Sequence, residues 1–309
     1  MNNFCTLADN NFTEKVLALN TSLKRHQENY VLHLLCVDDE IYRKCNEPNI
    51  KKYKISDLLR EDVNLRTARS NPPSREALLN TGNDFLQAQK LQFLWALASY
   101  FSWWCLENLE VDDILYIDSD IYFLRGLEDL EKSVEDCSVG IVEHRCPYNP
   151  VNGKYNVGIV YFKNDFEGYK VLTWWKNCLL RHDNEYFQTH GTCGDQKYLE
   201  VFEQLSTNVK VLDEDIGHLA PWNFNYHGYT NNKIVWNKKE QELLYCHFSN
   251  FKPKYDINSY ELAPRHGFLK EPTHSAHQQQ FIKLIADQYY NDLREAHDKT
   301  KNSIRNDSL

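Results

Sequence analysis

The sequence predicts an α/β protein with a helical C-terminal extension, and three observations carry that prediction. Strand, helix and strand signals follow one another within the first 37 residues, the opening of a parallel α/β sheet. Short apolar runs and longer helical stretches then keep alternating to about residue 212. Beyond Pro253 the alternation stops, and a helical pattern closes the chain.

Phe4 to Ala8 is a short apolar run ending in Asp9-Asn10-Asn11, which suits a buried strand entering a turn. Thr13 to His26 carries Val16, Leu17, Leu19 and Leu23 at helical spacing, with Glu14 at its start and Lys24-Arg25-His26 at its end. That charge order complements the helix dipole. Tyr30 to Val37 is a second strand, closed by Asp38-Asp39-Glu40. Residues 61–83, with Asn71-Pro72-Pro73-Ser74 at their centre, read as a loop or short-helix insert. Phe85 to Leu109 is a long apolar helix whose aromatics, Phe93, Trp95, Tyr100, Phe101, Trp103 and Trp104, are read as core packing. Ile114 to Ile117, Ser138 to Glu143, Val157 to Lys163 and Val209 to Leu212 are strands, and Tyr169 to Leu180 is a helix. Residues 254–274 look irregular. Ser275 to Asp298 is a helix with Phe281, Ile285, Tyr289 and Leu293 on one side and charges of both signs elsewhere. A basic membrane-surface helix is more one-sided, so packing on the parent unit is expected, with peripheral membrane contact left open.

Composition narrows the function classes. Apolar residues make up 42% of the chain, enough for a sizeable core. The formal net charge of −9 and the lack of clustered Lys and Arg exclude a nonspecific nucleic-acid binder. An anionic ligand then needs a locally built site such as a metal ion. Nine cysteines, odd in number and without a CxxC pair, argue against zinc, redox and secreted disulfide frameworks. The N-terminus lacks the order of a signal peptide and no run of 18 apolar residues occurs. A cytoplasmic location is expected.

Asp118 and Asp120 stand at the end of an apolar strand. Strand alternation sends side chains at i and i+2 to one side, so both carboxylates can converge on one cation. The carboxyl ends of parallel strands are also where open α/β sheets bind ligands. Carboxylate oxygens suit Mg2+ or Mn2+ bridging a nucleotide diphosphate. His247 ends another apolar stretch, Leu243-Leu244-Tyr245. It is a candidate third ligand that favours Mn2+, and Lys252 is a candidate phosphate contact.

With Cys5-Thr6-Leu7-Ala8-Asp9-Asn10-Asn11-Phe12, Asn156-Val157-Gly158 and Gly194-Asp195-Gln196, these motifs resemble the retaining nucleotide-sugar glycosyltransferases of the GT-A fold, the group of glycogenin and the lipopolysaccharide galactosyl- and glucosyltransferases, over roughly residues 3–253. The resemblance implies a single Rossmann-like unit with a mixed central sheet. Its nucleotide-sugar half would run over 1–125, its acceptor half over 126–253, and a C-terminal segment over 254–309. It also implies that the Leu7 backbone, Asp9, Asn11 and the Phe12 ring hold the base and ribose. Asn156 and Gly158 would contact the donor sugar, Asp195 and Gln196 would lie under it, and His247 and Lys252 would close the site. The implied reaction moves a hexose from a UDP-sugar to a saccharide or glycoconjugate acceptor, with Mn2+ or Mg2+ and with retention. Asn156 to Leu199 looks closer to enzymes of surface-polysaccharide clusters.

Four departures stand out. Phe12 replaces the usual Tyr, and Lys197 stands where a second Asp often follows the Asp-Gln pair. Asn250 replaces Gly in a closing motif one residue shorter than in glycogenin-like enzymes. Lys90 is the nearest cation on the long helix, at an ill-fitting spacing. Whether Gln196 stabilises an oxocarbenium-like state or a carboxylate such as Glu143 attacks covalently stays open. Two rival classes are a phosphohydrolase with a D-x-D nucleophile and a non-catalytic carbohydrate binder using Trp222 as a sugar platform.

Overall fold

The structure is a computed structural model that describes residues 1–149, 152–180, 194–230, 233–263 and 276–306. A seven-stranded mixed sheet runs in the order β3-β2-β1-β4-β7-β6-β8. Its strands are β1 (Asn3–Ala8), β2 (Val31–Cys36), β3 (Ile50–Lys54), β4 (Asp113–Ile117), β6 (Val139–Glu143), β7 (Tyr155–Lys163) and β8 (Val209–Val211). The first four run parallel, β7 is antiparallel to both β4 and β6, and β8 is parallel to β6. The mixed α/β unit is the expected one.

The helices follow local signals. The first, α1, spans Thr13–His26, the predicted range, with Glu14 in its first turn and Lys24, Arg25 and His26 in its last. The carboxylates closing β2 start a short helix, α2 (Asp39–Lys44), through Asp38, whose side chain accepts from the Glu40 and Ile41 amides. The predicted insert resolves into α3 (Ile55–Glu61), α4 (Val63–Arg69) and α5 (Arg75–Asn80), two of them capped by Asp62 and Ser74. The long helix α6 spans Phe85–Asn108, α7 spans Glu128–Val134, and α8 spans Phe166–Leu180. One sheet face packs under α6 and α8 around Phe101, Phe162 and Trp175, and the other under α1 around Phe4, Leu19 and Phe123. The eight described cysteines are free, and all but Cys146 are buried. Thiols of that kind pack as small hydrophobes.

Apolar runs did not reveal a second sheet. It joins β5 (Ile121–Phe123), β9 (Gly217–Leu219), β10 (Gly228–Thr230), β11 (Lys233–Trp236) and β12 (Lys239–His247), with β12 between β11 and β5. Most of these strands are three or four residues long, too short to show a period. The described part of the stretch read as irregular holds a hairpin instead, β13 (Lys252–Lys254) with β14 (Ser259–Glu261), and residues 264–274 lie outside the described residues. The C-terminal helix, Ala276–Asn306, buries Phe281, Ile285, Tyr289 and Leu293. It is fastened to α1 by Arg25, which donates two 2.6 Å bonds to Asp292, while the Tyr122 hydroxyl donates to the same carboxylate at 2.6 Å. Packing on the parent unit is therefore what the helix does. Among the described residues no helix is long and apolar enough to cross a membrane.

Candidate active site

A cleft of about 380 Å3 opens at the carboxyl ends of β1 and β4. Its base is the turn between β4 and β5. Strand β4 stops at Ile117, and the Ile121 amide donates to the Asp118 carbonyl at 3.0 Å, closing a tight turn over Asp118-Ser119-Asp120. The two carboxylates therefore converge through a turn, not through the strand alternation that the sequence suggested. Pairing of β5 with β12 sets His247 opposite Ile121, and the Phe248 amide donates to the Asp120 carbonyl at 2.8 Å. These bonds bring one ligand atom from each of Asp118, Asp120 and His247 within 4.8 Å of one another.

The contacts inside this cluster are specific. His247 Nε2 lies 3.0 Å from Asp120 Oδ1 and 3.6 Å from Asp118 Oδ2. The Tyr116 hydroxyl donates to Asp118 Oδ1 at 2.8 Å, and Lys15 Nζ donates to Asp120 Oδ2 at 3.2 Å. Gly158 passes directly behind the imidazole: a Cβ there would lie 2.7 Å from His247 Nδ1 and 2.6 Å from Asn156 Oδ1. Only glycine lets the ring sit this close. Burial and the neighbouring Asp120 charge push the Asp118 pKa up to about 6, although a third of its side chain is open to solvent. Burial opposes ionisation of Asp120 as well, but Lys15 and His247 outweigh it and hold that carboxyl below the usual range. Burial likewise opposes a charge on His247, and the two aspartates raise its pKa in spite of it. Two carboxylates and one imidazole are a donor set that fits Mn2+ or Mg2+.

The candidate residues separate into those the cleft gathers and those it does not. Leu7, Asp9, Phe12, Asn156, Asp195 and Gln196 line it together with the Asp118, Asp120 and His247 cluster. Phe12 is 37% exposed and is not core. Asp9 caps the turn after β1 by accepting from the Asn11 amide at 3.0 Å and also meets Lys90 at 3.2 Å. Asn11 is exposed, and Gly158 lies behind His247. Lys252 is exposed in β13, in register with Glu261, and does not line the cleft. Glu143 is paired to Lys154 at 2.9 Å and is likewise outside the lining.

At the far end Gln196 Oε1 lies 3.2 Å from His144 Nε2 and 3.3 Å from Asn156 Nδ2. Asp195 precedes a 3-10 helix, Gln196–Val201, yet its side chain makes no capping bond. Burial and the Asp118 charge hold its carboxyl well above the usual range. Trp95 also lines the cleft, against Gly194, so it is a wall residue and not the core residue that the apolar helix suggested. Sequence reasoning missed Lys15, Tyr116 and His144, which reach the site only through the fold. Tyr116 had a local signal, standing two residues before Asp118. Trp222 stands edge-on to His247 at 5.1 Å, in the same cleft as the carboxylates.

The fold is that of the GT-A glycosyltransferases. The apo form of mouse xyloside xylosyltransferase 1 matches with a TM-score of 0.52 at 13% identity, over 81% of this chain and 98% of that one. The galactosyltransferase LgtC in complex with donor and acceptor sugar analogues matches with a TM-score of 0.50 at 11% identity, over 90% of this chain and 99% of that one. At these identities the likeness establishes the fold.

In sequence the chain is similar to two proteins of Bacillus subtilis (strain 168). It is 24% identical over 265 residues to the uncharacterized protein YfnF, covering 81% of each chain. It is 24% identical over 263 residues to the uncharacterized protein YfnD, covering 80% of this chain and 77% of that one. No family model matches.

If the Phe12 ring stacks on a base, Phe12→Ala should weaken binding of a nucleoside diphosphate by roughly 1–3 kcal/mol, the range for base–aromatic stacking. The melting temperature should barely move, because the ring is exposed. Titration calorimetry and a thermal melt on one preparation check both; a large melting loss with unchanged affinity would return Phe12 to a structural role.

Proposed function

We propose that the chain is a metal-dependent hexosyltransferase. It would take a nucleotide diphosphate sugar, a UDP-sugar, and pass the hexose with retention to a saccharide or glycoconjugate acceptor, in polysaccharide biosynthesis. The carrying observation is the Asp118, Asp120 and His247 cluster at the base of the cleft of a GT-A fold. Bound by these three side chains, Mn2+ or Mg2+ supplies Lewis-acid stabilisation of a departing diphosphate.

The chain's own groups supply the rest. Leu7, Asp9 and the Phe12 ring offer a platform for base and ribose on one side of the carboxylates, and Asn156, Asp195 and Gln196 offer polar groups for a sugar on the other. Burial and the Asp118 charge raise the pKa of Asp195 and so favour its protonated form, which would donate a hydrogen bond to a sugar hydroxyl as well as accept one. His144 and Asn156 both meet Gln196 Oε1, which leaves the Gln196 amide orientation set before a sugar arrives. Gly158 would act by admitting His247, not by touching the sugar. The acceptor would enter from residues 126–253, where Trp222 forms a wall. Because Trp222 shares its cleft with the carboxylates, a separate non-catalytic sugar platform is the weaker reading.

Nucleotide sugars screened for hydrolysis with and without Mn2+ test the proposal. The expected result is free UDP only when metal is present, with no phosphorylated protein. Gln196→Ala should lower kcat at least about tenfold at unchanged UDP affinity, because a group acting on the reacting sugar is felt mainly in the transition state. A phosphoprotein intermediate, or turnover indifferent to chelator, would refute the reading.

A further inference from the structure

We propose that Lys15 is a phosphate-binding residue of the donor site, which neutralises Asp120 when no metal is bound and moves onto the diphosphate of the donor when metal and nucleotide are present. The inference rests on the metal-dependent reading given above.

Lys15 lies in the first turn of α1, directly after the turn that carries Phe12. Its ammonium is 3.2 Å from Asp120 Oδ2 and 4.3 Å from the centre of the Phe12 ring. One side chain thus touches both the aromatic platform and the second carboxylate of the cluster. A ligand whose base rests on Phe12 and whose diphosphate reaches the Asp118 and Asp120 pair has to pass this ammonium.

The other oxygen of Asp120 faces His247 Nε2 at 3.0 Å. Asp120 is therefore satisfied at both ends, and Lys15 supplies a positive charge where a divalent cation would otherwise sit near it. Only 14% of the Lys15 side chain is exposed, so the contact is not a solvated surface pair. A cation bound to Asp120 makes the lysine a like-charged neighbour, and a flexible four-carbon stem lets the ammonium leave. Incoming phosphate oxygens are then its nearest strong acceptors.

Lys252 and Lys90 are placed differently. Neither Lys252 nor Lys15 is in the cleft lining, but Lys252 is exposed in β13 in register with Glu261, and the Lys90 side chain is 60% exposed and sits on Asp9. Lys15 sits on the carboxylate itself.

The two roles have opposite signs, which makes them separable. Lys15→Met keeps most of the stem and removes the charge. Titrated with Mn2+ alone, this variant should bind metal more tightly than the wild type, because a competing cation is gone. Titrated with UDP at saturating Mn2+, it should bind about tenfold more weakly or worse, the scale of one lost charge-assisted hydrogen bond. Lys15→Arg should restore UDP binding. A lysine that merely braced the fold would weaken both affinities together and lower the melting temperature.

Unchanged UDP affinity at saturating Mn2+ in Lys15→Met overturns the inference while leaving the metal reading standing, and so does weaker Mn2+ binding by that variant. A wild-type protein that binds neither Mn2+ nor UDP overturns the metal reading and this inference with it.

Discussion

Asp118→Asn is expected to abolish metal-dependent nucleotide binding while leaving the metal-free protein as stable as the wild type or more so. The substitution keeps the shape of the side chain and an oxygen to accept from the Tyr116 hydroxyl, which now donates to Asp118 Oδ1 at 2.8 Å. It removes one of the three converging ligand groups. Loss of outer partners of a metal ligand already costs about 10–100-fold in metal affinity, so loss of the ligand itself should exceed about 100-fold.

Stability should move the other way. Burial and the Asp120 charge raise the folded pKa of Asp118 from 3.8 to about 6. Below 3.8 the group is neutral in both states and contributes nothing. As pH rises towards 6 the unfolded chain ionises while the folded protein resists, so this carboxylate costs stability, in full above 6. Asparagine removes that cost. The gain should be modest, because a third of the side chain meets solvent. Melting curves in chelator across pH 4 to 7 and Mn2+ titrations test the two halves separately. An unaltered Mn2+ affinity would refute the ligand assignment, and a lower melting temperature at pH 7 would refute the electrostatic account.

How much of this was legible in the sequence differs from residue to residue. The bounds of α1 could be read because acidic start, apolar stripe and basic end all mark the same segment. Strands β1, β2, β4 and β7 announce themselves as apolar runs because both faces of the sheet are covered. The carboxylate pair was legible as chemistry but not as geometry, since the turn that joins Asp118 to Asp120 depends on β5 leaving the main sheet for β12. Strand β12 starts with polar, partly exposed residues and ends buried, so only its last apolar stretch gives a signal. Trp95 was hidden by its setting: on a mostly apolar helix, nothing local separates the residue at the cleft from those in the core. Lys15 and His144 were hidden by distance, since Lys15 meets a carboxylate 105 residues away and His144 a glutamine 52 residues away. A motif also points to Lys252, which lies exposed in β13 and outside the cleft lining.

The largest loss of stability is expected from Arg145→Met. Arg145 has a fully buried side chain and a left-handed backbone, φ 54°. Its guanidinium donates to Asp213 Oδ1 at 2.6 Å, to the Asp213 carbonyl at 2.6 Å, to the Ile216 carbonyl at 2.8 Å and to Gln241 Oε1 at 2.9 Å. Methionine fills much of the volume but abandons two carbonyls, an amide and a buried carboxylate. Breaking a buried ion pair from one side costs about 3–5 kcal/mol, and urea unfolding should show a loss of that size at pH 7. Burial opposes ionisation of Asp213, but His218 and Arg145 outweigh it and depress its folded pKa below 3.8. Stability from this carboxylate is therefore present above 3.8 and is lost as pH falls through the folded value. The deficit of Arg145→Met should accordingly be widest near neutral pH and narrow under acid. The same side chain anchors one wall of the cleft, because the neighbouring His144 contacts Gln196 through its ring at 3.2 Å and receives Trp222 Nε1 at 3.1 Å on its carbonyl. In the fraction that stays folded, Arg145→Met should therefore impair sugar transfer while sparing UDP affinity, whose proposed contacts lie on the β1 side of the carboxylates. A stability loss under about 1 kcal/mol would mean that the network relaxes around the missing guanidinium. Equal losses of UDP affinity and turnover would mean that the wall and the nucleotide platform are not independent.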